Sequence, residues 1–166
     1  MTIADFEKQP RGPYLFDWWL GQKRVATPLG LFSVVLQMLG DDTNPPDEEM
    51  LRRAIALVSY TESHGDFILD IVFGHYLLAA EDPEWLEDCG VPQGVTINKI
   101  ANYVREDRSL VVARHLSWDQ PYSSSIHVVP RWDEEHALSL EYGDGAIIAA
   151  NDSQFRLEAR VLRWMD

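Results

Sequence analysis

The chain of 166 residues holds a single cysteine, Cys89, which excludes an internal disulfide and any metal site built from several thiolates. Basic residues are also scarce. Fourteen Lys and Arg stand against 27 Asp and Glu, for a formal net charge of −13 and a pI near 4.6. Such a field repels nucleic acid and anionic lipid, so neither is expected as a partner. Long apolar runs are missing. The longest, Phe67 to Ala80, is broken by Asp70, Gly74 and His75 and falls short of the roughly 20 residues a membrane-spanning helix needs. The segment Met1 to Lys8 carries acids where a secretion signal needs a basic start, so a soluble, cytoplasmic protein is expected. The glycine patterns GxGxxG and GxxxxGK[ST] are absent, as are HExxH, HxH and any His pair at i, i+4. No cofactor or metal site is expected on this basis.

What is present has the usage of a globular protein, 46% hydrophobic and 25% charged, at a length suited to one domain over residues 1–166. The acid is concentrated. Residues 41–90 hold 13 acids against Arg52 and Arg53 alone, a balance of −11, whereas residues 1–40 sum to +1 and 91–166 to −3. Two clusters dominate: Asp41 to Glu49, with Asp47, Glu48 and Glu49 at its end, and Glu81 to Asp88, with Glu84, Glu87 and Asp88 around Trp85. An aromatic ring set among carboxylates suits recognition of a basic protein surface, combining an apolar anchor with charge complementarity.

The periodicities predict an α+β domain in which a mostly antiparallel sheet carries an N-terminal hairpin, a helical middle segment packed on one face, and a C-terminal set of strands. The aromatic run 14–20 and the Val- and Phe-rich run 31–39 read as hairpin arms, turned at Gly21–Arg24. Phe32, Val34, Leu36 and Met38 then share the deeper face of the second arm. Pro46-Asp47-Glu48-Glu49 marks a helix start, followed by Leu51, Ile55 and Val58 at helical spacing. Ser63-His64-Gly65 breaks the helix before Asp66 caps a second one running to about Ala80 and ended by Pro83. Thr96–Val104 reads as a short helix, 110–113 and 126–129 as strands, and 117–125 as a mobile loop. A hairpin over 136–150 turns at Gly143-Asp144-Gly145. Residues 154–163 alternate as a half-exposed strand, although Leu-Glu-Ala-Arg also suits a helix.

The helix break decides whether the two acidic clusters form one surface. An unbroken helix from Asp47 to Ala80 would hold them about 50 Å apart at 1.5 Å per residue, and a hairpin at His64-Gly65 would bring them together.

The segment Trp132-Asp133-Glu134-Glu135-His136 is the densest set of groups suited to acid-base or metal chemistry. His136 leads the face continued by Leu138, Leu140 and Tyr142, which favours a core-margin role for its ring over a catalytic one. Asp70 lies among apolar residues and is read as facing solvent beside Asp66, since burial unpaired would cost about 2–7 kcal/mol. Ser123, Ser124 and Ser125 lack the glycine frame of a nucleophile elbow. No catalytic residue is assigned.

The run from Val128 through Trp132, Asp133, Glu135, His136 and Leu138, followed by Asp144-Gly145-Ala-Ile-Ile, resembles the W-D-x-E-H-G strand-turn-strand signature of a family of small bacterial domains of unknown function. Ala137 stands where that family usually has glycine. Some of its members are treated as candidate immunity proteins of polymorphic toxin systems. Together with the acidic clusters, the resemblance suggests a non-enzymatic acidic protein that neutralises a basic toxin, and the charge pattern puts the contact at Asp47, Glu48, Glu49, Glu84, Trp85, Glu87 and Asp88. The competing readings are a metal-dependent or hydrolytic enzyme centred on Trp132 to His136, and a homo-oligomeric housekeeping protein whose acid only solubilises it.

Overall fold

The computed structural model describes residues 1–10, 16–133 and 137–151, together with the backbone of Arg156–Glu158. Eight strands form one sheet in sequence order: β1 (Phe6–Gln9), β2 (Asp17–Thr27), β3 (Gly30–Met38), β4 (Ser109–Arg114), β5 (Tyr122–Val128), β6 (Leu138–Gly143), β7 (Ala146–Asn151) and β8 (Arg156–Glu158). Every neighbouring pair is antiparallel except β3 and β4, which run parallel. A parallel pair needs a long crossover, and here it contains the whole helical middle: α1 (Glu48–Ser63), α2 (Gly65–Ala79), α3 (Pro83–Asp88) and a 3-10 turn at Ile97–Tyr103. The α+β architecture expected from the sequence is the one observed.

Strand alternation sorts the sheet into two faces. Cross-strand neighbours Val34, Leu110, Ile126, Leu140 and Ala150 make one apolar row over five strands, each at most 1% exposed. Against it lies α1, which contacts β2, β3, β4 and β5. The adjacent row on the opposite pleat is polar: Ser33, Ser109, His127, Ser139 and Asn151. Each large side chain removed from water on the apolar face contributes about 1.5–3 kcal/mol, so this alternation fixes the register, because a one-residue slip would exchange the rows.

Several local expectations change. The N-terminal hairpin turns at Pro28-Leu29, not at Gly21–Arg24, which lies inside β2 where the pairing with β3 shifts between Leu20 and Arg24. That shift is bulge chemistry, and Gly21 earns its place by close approach: a Cβ there would sit 3.2 Å from Val34. Strand β1, ahead of the predicted hairpin, is short and carries Glu7 and Lys8, so the sequence shows no alternating run. The core stripe of α1 is Met50, Ala54, Leu57 and Thr61; Leu51 and Val58 flank it, and Ile55 is exposed. The serine segment expected as a mobile loop enters β5 from Tyr122 onward. Pro83 opens α3 at its first turn instead of only ending α2. Among predicted strand positions, residues 14, 15, 136, 154, 155 and 159–163 lie outside the described residues, while Arg156–Glu158 pairs with β7 as a strand.

The break between α1 and α2 occurs where expected, with His64 as the junction and its ring stacked on Tyr60 at 4.2 Å. Asp66 lies in the first turn of α2 without being its cap. Gly65 sits directly on the β2–β3 turn, and a Cβ there would meet Pro28 Cδ at 2.7 Å. Gly65→Ala should therefore destabilise the protein by about 1–3 kcal/mol through overpacking. Urea unfolding of that variant measures it, and unchanged stability would show that the junction is not seated on the turn.

Candidate functional site

The first acidic cluster begins as backbone chemistry. Asp47 caps α1, its Oδ1 accepting the Met50 N–H at 2.9 Å, and Asp42 accepts the Asn44 backbone N–H at 3.1 Å and side-chain amide at 2.9 Å. Arg114, the last residue of β4, enters between them and is only 3% exposed. Its Nε donates to Asp42 at 2.6 Å, one terminal nitrogen donates to Asp47 at 2.5 Å, and the other donates to the Asn44 and Pro45 carbonyls at 3.2 Å each. Tyr122, opening β5, donates its hydroxyl to Asp47 at 2.8 Å. Burial pushes both carboxyls up, but the donors around them outweigh it and hold Asp42 and Asp47 below the usual carboxylate range. Burial likewise opposes the Arg114 charge, and the two carboxylates outweigh it and raise the guanidinium.

Glu49 is also committed, to Arg52 at 2.7 and 2.8 Å and to Arg53 at 2.6 Å, while Glu48 is exposed. Of the residues expected to bind a partner at this end, Asp47 and Glu49 thus have internal cations, and what sequence reasoning missed is Arg114. Its only signal was a lone arginine ending an apolar strand, at a sequence separation of 72 from Asp42.

The second cluster is arranged differently. Asp82 caps α3 by accepting the Trp85 N–H at 3.1 Å, and Pro83 follows in the first turn. The Trp85 indole N–H donates to the Trp132 carbonyl at 2.7 Å, an oxygen that Cys89 Sγ also approaches at 3.7 Å, yet the ring stays 49% exposed. Glu81, Glu84, Glu87 and Asp88 surround it, all exposed and, among the described residues, without an ion-pair partner. Leu77 and Leu78, ending α2 just before this helix, are half exposed as well. The corner between α2 and α3 therefore offers an apolar centre with an acidic rim.

The clusters do not merge. Tyr122 at one end of β5 reaches Asp47, and Trp132 just past the other end holds Trp85, so the strand's seven residues separate them by about 20 Å.

In the Trp132 to His136 segment, Trp132 is 1% exposed and donates its indole N–H to His75 Nδ1 at 3.0 Å, with Tyr76 edge-on at 5.5 Å. This is a core wedge holding α2 and α3 to the β5–β6 connection. Asp133 is half-buried, and Glu135 and His136 lie outside the described residues. Among the described residues no group of His, Cys, Asp and Glu could hold a metal ion. One pair of groups with catalytic composition went unnoticed in the sequence: Ser125 Oγ lies 2.9 Å from His127 Nε2, and burial lowers the imidazole below its usual range. Both residues sit inside β5, paired with β4 and β6 on either side, so the strand ladder engages the local backbone amides that would have to stabilise an oxyanion. No described helix is long and apolar enough to cross a membrane.

Removing Arg114 leaves the buried Asp42 carboxylate without its cation beside the partly exposed Asp47, so Arg114→Met should cost about 3–5 kcal/mol in chemical denaturation. Asp42→Asn combined with Arg114→Met should cost less than the sum of the two single changes, since the pair acts as a unit. The pH dependence has a definite sign. Both carboxyls titrate lower folded than unfolded, so their contribution is complete above the ordinary range near pH 4 and is lost as pH falls through their depressed values. Wild-type unfolding free energy should drop over that acid window, and the Arg114→Met variant should show a smaller drop.

No protein-family model, curated protein or solved structure matches this chain.

Proposed function

We propose that the protein is a non-catalytic binding protein whose α2–α3 corner receives a basic protein, with neutralisation of a toxin as the biological setting that the Trp132 to Leu138 resemblance suggests. The carrying observation is Trp85: a large ring, half exposed, fixed in place by its own N–H and flanked in the chain by four exposed carboxylates that have no ion-pair partner among the described residues. A fixed aromatic loses little conformational freedom on binding, and binding hot spots are enriched in tryptophan for that reason. Leu77 and Leu78 extend the apolar centre, and the acids supply steering toward a cationic surface. The first cluster contributes to this reading only through long-range potential, because Asp42, Asp47 and Glu49 are paired within the chain.

The expected partner is a basic protein encoded beside this chain, and calorimetry of the purified pair at low and high salt is the test. Trp85→Ala should weaken binding by about 2 kcal/mol or more. Reversing Glu84, Glu87 and Asp88 to lysine should slow association and remove its salt dependence, while Glu48→Lys, about 20 Å away by strand length, should change little. Affinity that survives the triple reversal at α3 unchanged would end this assignment.

A further inference from the structure

The β5–β6 ladder is shorter than either strand. It runs from Ser125 opposite Glu141 to Val128 opposite Leu138 and stops there, although β5 begins at Tyr122 and β6 continues to Gly143. The edge of Tyr122–Ser124 that faces β6, and the edge of Tyr142–Gly143 that faces β5, have no ladder partner among the described residues. A shift in the β6–β7 pairing between Glu141 and Tyr142 accompanies this parting of the strands. The gap opens into a cleft of about 710 Å³ beneath α1, within the size range of small-molecule sites.

The walls carry opposite charges. On the helix side Arg52 and Arg53 share the single carboxylate of Glu49, which leaves that wall one positive charge in excess. Arg53 uses only its Nε for Glu49, and its terminal nitrogens have no hydrogen-bond partner among the described residues. Its guanidinium lies over the Tyr122 ring at 5.4 Å, which holds it at the mouth. On the opposite side stand Asp119, ahead of β5, and Asp144, in the β6–β7 turn, both exposed, together with the half-buried Glu141 of β6, which accepts from the Asn151 side-chain amide at 2.7 Å.

We infer that this cleft binds a zwitterionic ligand of the amino-acid or short-peptide class, its carboxylate on Arg53, its ammonium on Asp119 and Asp144, and its amide groups on the parted strand edges. Each part of the ligand answers one feature of the cleft. A purely anionic molecule meets three carboxylates, and a purely cationic one meets two arginines. The backbone edges call for a partner with alternating donors and acceptors, which a peptide unit supplies.

The test is an amide NMR titration of the full chain with alanyl-alanine as probe. Saturable shifts are expected at Ser123, Ser124 and Tyr142 to Gly145. The same dipeptide acetylated at one end and amidated at the other should bind at least about tenfold more weakly, having lost both charges. Arg53→Gln and Asp144→Asn should each lower affinity for alanyl-alanine by about tenfold. Asparagine tolerates the left-handed backbone of position 144, where φ is 51°, so that variant keeps the turn. No saturable shift at millimolar probe, equal binding of the capped dipeptide, or indifference to both substitutions would overturn the inference. Lysine substitutions at α3 leave the cleft intact, so failure here and failure of the partner surface are separate results.

Discussion

The bridge from Arg114 to Asp42 and Asp47 is the interaction on which the rest of the arrangement depends. A parallel β3–β4 pair needs a long crossover, and this guanidinium anchors its first end, where the chain has just left β3. It ends β4, holds the connector through the Asn44 and Pro45 carbonyls, and meets the carboxylate that caps α1. Tyr122 adds β5 to the same carboxylate. One charged group thereby sets where α1 starts relative to three strands, which in turn places the α1 wall of the cleft and aims the crossover toward the α2–α3 corner. Buried ion pairs are weak evidence for net stability, and the stronger claim concerns geometry. A planar fork with four defined acceptors permits one orientation, whereas an apolar plug of equal volume would permit several.

How far the sequence could be read follows from the range of each signal. The alternation Phe32, Val34, Leu36, Met38 and the proline-acid start at Asp47 are local, and both appear as expected. The helix break at His64 was legible because histidine and glycine adjoin there. The hairpin turn was legible but misplaced: Gly21 resembles a turn residue while serving as a bulge, and it drew the reading away from Thr27-Pro28-Leu29-Gly30, which has the proline and glycine of a β-turn. The core face of α1 was misjudged by one position. Leu51, Ile55 and Val58 have the stronger hydrophobicity, but α1 meets β2–β5 through the neighbouring stripe of Met50, Ala54, Leu57 and Thr61.

The functional residues divide the same way. Trp85 and its acids are contiguous, so composition finds them. Arg114 lies 67 and 72 residues from its two acids, Trp132 lies 57 from His75, and no single-sequence pattern connects such pairs. The Trp132 segment looked like chemistry because carboxylates and an imidazole are adjacent in the chain. In the fold its tryptophan is a buried wedge whose carbonyl positions Trp85, so its contribution to a binding surface is indirect.

The two acidic clusters of residues 41–90 therefore differ in their physics. Near α1, Asp42, Asp47 and Glu49 are neutralised within about 3 Å by arginine and by backbone amides, and they are part of the structure's internal balance of charge. Those on α3 are not. Glu84 lies three and four residues from Glu87 and Asp88, a like-charge arrangement that costs a few tenths of a kcal/mol per pair, and Glu87 and Asp88 sit at the helix end that disfavours negative charge. Neutral or basic residues at those sites would make a better six-residue helix, and a glutamine or lysine there would disturb no described contact. An arrangement that is locally unfavourable, solvent-facing and gathered around a fixed tryptophan gains a compensating term only when a cationic surface covers it. Salt weakens that term and stabilises the free protein by the same screening, so a cationic partner of the proposed kind would gain from the repulsion it relieves as well as from the contacts it makes.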